Sequence, residues 1–132
     1  MRDVCGEGIM NRNFTIICVD FDGVLHDGSW PNIGKPNTYL FAYLINCRKH
    51  GIKVILYTMR EGKLLDDAVE FCKSQGLEFN AVNDNLPEMI ELYGSNPRKI
   101  AFDYLLDDNV AIVKGLGKRL PDLKKRKVWT DE

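Results

Sequence analysis

Acidic side chains follow two apolar segments whose composition is typical of buried β-strands. Asp20 and Asp22 come directly after the segment Phe14–Val19, and Asp107 and Asp108 directly after a later one. Carboxylates gathered at one edge of a sheet repel each other unless a cation lies between them. Oxygen ligands without His or Cys among them are those that Mg²⁺ prefers. The spacing therefore predicts a magnesium site, provided that both segments end at the same edge.

Two further side chains suit a phosphate beside that metal. Thr58 follows the second apolar segment and Lys99 precedes the fourth, so a hydroxyl and an ammonium group can hold phosphoryl oxygens. Positioning and charge neutralisation supply most of the catalysis in phosphoryl transfer. In such a site one of Asp20 and Asp22 can attack phosphorus while the other donates and later accepts a proton. Gly23 allows the backbone to approach the phosphate closely.

These residues can meet only if apolar strands and amphipathic helices alternate along the chain. The apolar runs are Phe14–Val19, Ile52–Tyr57, Leu77–Val82 and Ile100–Leu106, and the helical patterns cover Pro36–His50, Leu64–Cys72 and Leu86–Tyr93. Gly51 and Gly76 end the first two helices. The alternation predicts a single Rossmann-like α/β domain, with a parallel sheet covered by helices on both faces. Ligands bind at the carboxyl ends of the strands in such sheets.

Length and composition fit one domain without a second core. The chain has 132 residues, which we divide into a lead-in (1–13), the α/β domain (14–117) and a basic tail (118–132). The tail is either solvated or a patch that attracts phosphate, and Val128 and Trp129 could add an edge strand. With 18 basic and 19 acidic residues the net charge is -1, which disfavours long nucleic acids as ligands.

The sequence contains no apolar stretch long enough for a signal peptide or a membrane helix. Its four cysteines form no C-x-x-C pair, and we expect them to be reduced thiols. They are Cys5, Cys18, Cys47 and Cys72. A cytoplasmic protein without membrane contact is the resulting expectation.

The runs ICVDFDGVLHDG, VILYT and LLDDN, with Lys99 before the last, resemble the motifs of the haloacid dehalogenase (HAD) superfamily of phosphohydrolases. The resemblance implies a Mg²⁺-dependent phosphatase in which Asp20 is the nucleophile and Asp22 the general acid and base. Thr58 and Lys99 match the second and third motifs. The implied phosphate-binding residues are Phe21, Gly23, Thr58 and Lys99, and the implied metal site comprises Asp20, Asp22, Asp107 and Asp108. The resemblance covers about residues 14–110.

The segment between Trp30 and Pro36 is also similar to a group of small capless bacterial or phage HAD proteins, although Asn109 stands where that group has Arg. The segments after the first motif and before Lys99 are too short for a cap domain. Capless members act on large phosphorylated substrates or close their sites by forming homo-oligomers. We therefore expect the loop His26–Asn32, which carries Trp30, to help select a phosphorylated substrate.

Alternatives to the phosphatase interpretation remain open at this point. A response-regulator receiver has similar residues, but its acidic pair comes first along the chain, whereas here the order is D-x-D, Thr, Lys and paired Asp. A non-catalytic protein that binds a phosphorylated ligand, or a phosphotransferase, would carry the same motifs. Asp103 is expected to be buried and hydrogen bonded rather than catalytic. His26, Arg60 and Asp84 could each contact substrate or form structural contacts instead.

Overall fold

A five-stranded sheet with helices on both faces forms the described part of the chain. The computed structural model describes residues 13–107 and the backbone of residues 110–114. The elements are β1 (Ile16–Val19), α1 (Thr38–Lys49), β2 (Lys53–Leu56), α2 (Gly62–Ser74), β3 (Ala81–Val82), α3 (Pro87–Tyr93), β4 (Tyr104–Asp107) and β5 (Val110–Lys114). The strand order is β3-β2-β1-β4-β5, and the first four strands are parallel. The predicted single Rossmann-like α/β domain is confirmed.

Alternate residues of the central strand β1 pack into different halves of the core. Ile17 and Val19 face a cluster that includes buried side chains of α1 and α2, whereas Ile16 and Cys18 face a smaller cluster that includes Met89 of α3. Because side chains alternate across a strand, a strand buried on both faces must be apolar throughout. All four residues of β1 are fully buried, as its sequence requires.

The helix ends follow the signals in the sequence closely. The Asn37 side chain caps α1 by accepting a hydrogen bond from the Leu40 N–H, so this helix begins after Pro36 rather than at it. Gly51 and Gly76 directly follow the C-caps of α1 and α2 and have positive φ angles of 88° and 93°. These two glycines fill the left-handed position that commonly ends a helix.

Two features of the sheet differ from the sequence expectation. An additional strand, β5, pairs antiparallel with β4 at the edge of the sheet. Only residues 108 and 109 separate these strands, and a parallel connection needs a dozen or more residues. At the other edge, β3 covers only the end of the predicted strand Leu77–Val82. The Val54 N–H donates to the Asn80 side-chain oxygen at 2.8 Å, so a side chain rather than the backbone is the acceptor there.

The connections at the carboxyl edge of the sheet contain no cap domain. Residues 20–37 join β1 to α1 and residues 83–103 lead from β3 to β4, with α3 as the helix of the second segment. None of the helices in residues 13–107 is long and apolar enough to cross a membrane. The expectations for Cys5, Asp108, Asn109 and the tail lie outside the described residues, as does most of the lead-in.

The cysteines within the described residues are core side chains. Cys18, Cys47 and Cys72 are buried free thiols. Burial raises the pKa of Cys18 and of Cys72 to about 12, and it also raises the pKa of Cys47. Thiols with raised pKa values stay protonated near neutral pH and react slowly, which agrees with the expected packing role.

The buried carboxylate of Asp103 accepts a backbone hydrogen bond at the start of the central strand, in place of a backbone carbonyl. Its Oδ2 accepts the Ile16 N–H at 2.9 Å, while its own N–H donates to the Ile16 carbonyl at 2.8 Å. Asp103 is 1% exposed and immediately precedes β4, so this side chain fixes where β1 and β4 begin to pair. The expectation of a buried, hydrogen-bonded role is confirmed.

Replacing Asp103 with Ala should lower the free energy of unfolding by about 1–3 kcal/mol, because the buried Ile16 N–H loses its acceptor. Asp103→Asn retains one side-chain oxygen and should cost less. Urea unfolding of both variants tests this prediction, with Asp66→Ala on the exposed side of α2 as the control. Equal stabilities for the Ala variant and the wild type would contradict it.

Candidate active site

Asp20 and Asp107 lie side by side where the strand order of the sheet reverses. The chain continues from β1 to β2 on one side, and β4 pairs with β1 on the other. Val19 is in register with Leu106, so the next residues of these parallel strands are Asp20 and Asp107. The Asp20 N–H donates to the Leu106 carbonyl at 2.8 Å, which continues the pairing to this point. A strand-order reversal is where ligands bind in open α/β sheets.

The second aspartate of the D-x-D motif is paired with a buried arginine. Asp22 Oδ2 accepts from Arg60 Nε at 2.9 Å, and its Oδ1 accepts from Arg60 Nη2 at 2.8 Å. This two-bond arrangement matches the planar guanidinium to the planar carboxylate. Arg60 is 2% exposed, so the ion pair lies at the border between the interior and the cleft.

His26 makes the third hydrogen bond to Asp22. Its Nδ1 lies 2.9 Å from the Gly28 N–H and 3.0 Å from the Gly34 N–H, and both groups are donors. Nδ1 must therefore be the unprotonated nitrogen, and the proton is assigned to Nε2, which donates to Asp22 Oδ1 at 2.8 Å. A histidine in this tautomer connects the aspartate to the loop that follows it.

That loop is closed tightly around the imidazole. A Cβ added to Gly28 would lie 2.4 Å from the Gly34 nitrogen, and a Cβ added to Gly34 would lie 2.5 Å from the Gly28 nitrogen. Neither position can carry a side chain without moving backbone. The glycines bring both N–H groups to His26, and the Lys35 N–H donates to Asp27 Oδ1 at 2.7 Å.

Arg60 also lies between two aromatic rings. Its guanidinium carbon is 5.0 Å from the ring centroid of Phe21 and 5.0 Å from that of Trp30. Arg60 Nη2 donates to the Pro31 carbonyl at 3.0 Å, and Nη1 to the Leu64 carbonyl at 3.3 Å. One buried side chain thus joins the D-x-D motif, the Trp30 loop and the first turn of α2.

The ion pair sets the charge state of Asp22. Its partial burial opposes ionisation, but the hydrogen bonds from Arg60 and His26 and the charge of Arg60 outweigh this effect. The pKa of Asp22 is therefore below the ordinary aspartate value. Asp22 is a carboxylate near neutral pH, and its oxygens accept hydrogen bonds from two protein side chains.

Thr58 follows β2 and is held in place by an asparagine from the neighbouring strand. The Thr58 N–H donates to Asn83 Oδ1 at 2.8 Å, and the Thr58 hydroxyl oxygen accepts the Arg60 N–H at 3.2 Å. Asn83 has a φ of 51°, in the left-handed region that Asn tolerates better than most residues. Asn83 was not among the site residues predicted from the sequence, although an Asn directly after a strand is a signal for such a turn.

A buried asparagine holds the segment that carries Lys99. Asn85 Nδ2 donates to the carbonyls of Pro97 and Lys99 at 3.1 Å each, and its Oδ1 accepts the Ala101 N–H at 2.7 Å. The Lys99 side chain is exposed, and its ammonium group forms no ion pair with residues in the described ranges. Asp84 accepts hydrogen bonds from Asn85 and Asn96, which is a structural role.

The predicted site residues only partly converge on one cleft. Asp20, Asp22, Thr58, Trp30 and Met59 line a cavity of about 420 Å³. The described residues that line this cavity do not include Lys99 or Asp107, and Asp108 is outside the description.

The predicted phosphate-binding backbone also lies beside Asp20. The Phe21 N–H donates to Asp20 Oδ1 at 2.8 Å, while the Phe21 side chain is buried in the core. Gly23 has a φ of 81°, so the turn after the motif requires the left-handed conformation that glycine adopts readily.

The donor chemistry fits Mg²⁺ at the ends of β1 and β4 better than elsewhere in the site. Neighbouring parallel strands lie about 4.8 Å apart, so the carboxylates of Asp20 and Asp107 can approach one ion. The described residues contain no group of three or more His, Cys, Asp or Glu side chains arranged for a metal. Asp20 and Asp107 would supply two of its ligands, and Asp22 is committed to Arg60 and His26.

Removing the guanidinium should destabilise the protein substantially. We expect Arg60→Met to lower the free energy of unfolding by about 3 kcal/mol, because it leaves two carbonyls without this donor and Asp22 without its charged partner. Arg48→Met, on the exposed surface of α1, is the matched control and should cost less than about 1 kcal/mol. Urea unfolding measures both; equal losses would contradict the assigned role of Arg60.

The Asp22 ion pair should also make stability depend on pH. A lowered pKa in the folded state means that the stabilisation is complete above the unfolded-state pKa, about 3.9, and is lost as pH falls through the folded-state value. The difference in unfolding free energy between the wild type and Asp22→Asn should be constant from about pH 5 to 7 and shrink in more acidic solution. A difference that grows on acidification would contradict this assignment.

Comparison with known proteins identifies a relative of the same fold. The sequence matches no protein-family model and no curated protein. The structure is similar to that of a conserved protein from Bacteroides thetaiotaomicron, with 36% sequence identity and a TM-score of 0.65. The match covers 74% of this chain and 78% of the other. At this identity and coverage, the chain belongs to the same family as the conserved Bacteroides thetaiotaomicron protein.

Proposed function

We propose that the protein is a Mg²⁺-dependent phosphohydrolase that forms an aspartyl-phosphate on Asp20, as the resemblance to the HAD superfamily implies. The observation that carries the proposal is the position of Asp20. It ends the central strand at the strand-order reversal, beside Asp107, and it lines a cleft together with Asp22 and Thr58. A nucleophile, a second carboxylate and a hydroxyl therefore face one space.

Two displacements at phosphorus account for hydrolysis. In the first, which requires the protonated form of Asp22, an Asp20 oxygen bonds to phosphorus while the bond to the ester oxygen breaks, and Asp22 gives its proton to that oxygen. In the second, a water oxygen bonds to phosphorus, its proton passes to Asp22, and the bond from Asp20 breaks. Inorganic phosphate leaves and both aspartates return to their initial states.

The surroundings of Asp22 favour the second of these steps. Arg60 and His26 stabilise its ionised form, which is the form that accepts a proton from water. Ester oxygens that need little protonation, such as those of aryl phosphates, are therefore the leaving groups that suit this site best. Asp20 and Asp107 would hold Mg²⁺, which when bound would supply positive charge for the phosphoryl group. The Thr58 hydroxyl lines the cleft and can donate to a phosphoryl oxygen.

We also propose that the reaction takes place in the cytoplasm. The support is chemical: Cys18, Cys47 and Cys72 are free thiols in the core. Free thiols persist in a reducing compartment.

Phosphate release from p-nitrophenyl phosphate, measured with and without Mg²⁺, tests the proposal. We expect Mg²⁺-dependent turnover that falls at least about 1,000-fold in Asp20→Asn, because the amide is not a nucleophile at phosphorus. Asp66→Asn replaces an exposed carboxylate of α2 and should leave turnover unchanged.

Two results would count against hydrolysis at Asp20. If Asp20→Asn retained wild-type turnover, the nucleophile would be another group. If neither protein released phosphate while beryllofluoride still bound in the presence of Mg²⁺, a non-catalytic phosphate-binding protein would be the better description.

A further inference from the structure

We propose, resting on the function above, that the site selects phosphomonoesters whose leaving group carries a planar aromatic ring, and that this ring stacks on Trp30. Trp30 lines the cleft that also contains Asp20, and it is 57% exposed. A large aromatic surface is thus open to water beside the nucleophile. Covering it with a second ring removes apolar area from water and adds the attraction between stacked rings.

A contact with Arg60 helps to orient the Trp30 ring. The Arg60 guanidinium lies over the ring at 5.0 Å from its centroid, and the same group donates to the carbonyl of the next residue, Pro31. Arg60 is itself fixed by Asp22 and by the Phe21 ring. A ring that is already positioned loses little conformational freedom when a ligand stacks on it.

The other apolar residue of the cleft is suited to follow the shape of a ligand. Met59 is 95% exposed and follows Thr58 at the end of β2. Methionine is flexible and polarisable and makes favourable contacts with aromatic rings. Trp30 and Met59 therefore give the cleft an apolar part beside the polar part formed by Asp20, Asp22 and Thr58.

The cleft is small, so a ligand that fits it must carry its aromatic ring close to its phosphate. A volume of about 420 Å³ lies near the lower end of the range for small-molecule sites, about 300–1,000 Å³. A phosphoryl group at Asp20 leaves room for one ring system next to it. Nucleoside monophosphates and phosphorylated phenols, including the phosphotyrosine side chain, share this chemistry.

Binding can be measured without turnover. The chain has two tryptophans, so Trp129→Phe makes Trp30 the single tryptophan, and Asp20→Asn prevents reaction. We would titrate this double variant in Mg²⁺ with adenosine 5′-monophosphate, N-acetyl phosphotyrosine amide, ribose 5-phosphate and inorganic phosphate. Quenching of the Trp30 emission and calorimetry give the affinities. The first two ligands separate a nucleotide source from a phosphotyrosine source.

At least one ring-bearing ligand should bind roughly 5- to 150-fold more tightly than ribose 5-phosphate and inorganic phosphate, the range expected for stacking on one aromatic side chain. Calorimetry should show that this preference persists in Trp30→Phe and disappears in Trp30→Leu, which keeps apolar bulk without a ring. Leu92→Ala changes an exposed apolar residue of α3 and should leave every affinity unchanged. Urea unfolding confirms that each variant is folded.

Equal affinities for all four ligands, a preference that survives in Trp30→Leu, or no binding at all would overturn the inference. The test of ring preference and the test of hydrolysis can succeed or fail independently of each other. A ring preference in a protein without turnover would support the ligand class and refute hydrolysis. Turnover of p-nitrophenyl phosphate without a ring preference would support hydrolysis and refute the ligand class.

Discussion

The buried guanidinium of Arg60 is the constraint on which the site depends. A charge removed from water needs a partner of opposite charge and acceptors for its remaining N–H groups. Asp22 provides the first, and the Pro31 and Leu64 carbonyls provide acceptors. These groups come from the D-x-D motif, the loop that follows it and α2. The hydrogen bonds of the Arg60 side chain therefore fix three segments around the cleft. The Trp30 ring acquires its place from the same contact.

The sheet makes a complementary contribution by separating the two aspartates of the motif into different surroundings. Asp20 is the direct continuation of β1 and lies next to Asp107 at the end of β4, so two carboxylates come close together there. Two residues later the chain has turned at Gly23, and Asp22 is directed to Arg60 and His26. Two carboxylates of identical chemistry thereby acquire different surroundings, and the proposed mechanism needs such a difference between its nucleophile and its acid–base residue.

Much of this arrangement could be predicted from the sequence because it depends on local patterns. Apolar runs give the strands, and glycines and an asparagine mark the helix ends. Asp20 directly follows the first apolar run, so it was expected at the carboxyl end of a strand, which is where ligands bind in such sheets. The contact between Arg60 and Asp22 could not be predicted in this way, because it joins residues 38 positions apart and either one could equally have faced solvent. Strand β5 was not predicted, although residues 110–114 are rich in β-branched side chains and directly follow Asp and Asn, which are common in turns.

The central claim is that Asp20 carries the phosphoryl group during turnover. The most direct measurement is rapid acid quenching of the enzyme with p-nitrophenyl phosphate and Mg²⁺, followed by mass spectrometry of the peptide that contains Asp20. We expect a phosphorylated, hydroxylamine-sensitive peptide in the wild type, with the modification on Asp20, and none in Asp20→Asn. Steady phosphate release with no phosphorylated peptide at any quench time, or phosphorylation at another residue, would contradict it.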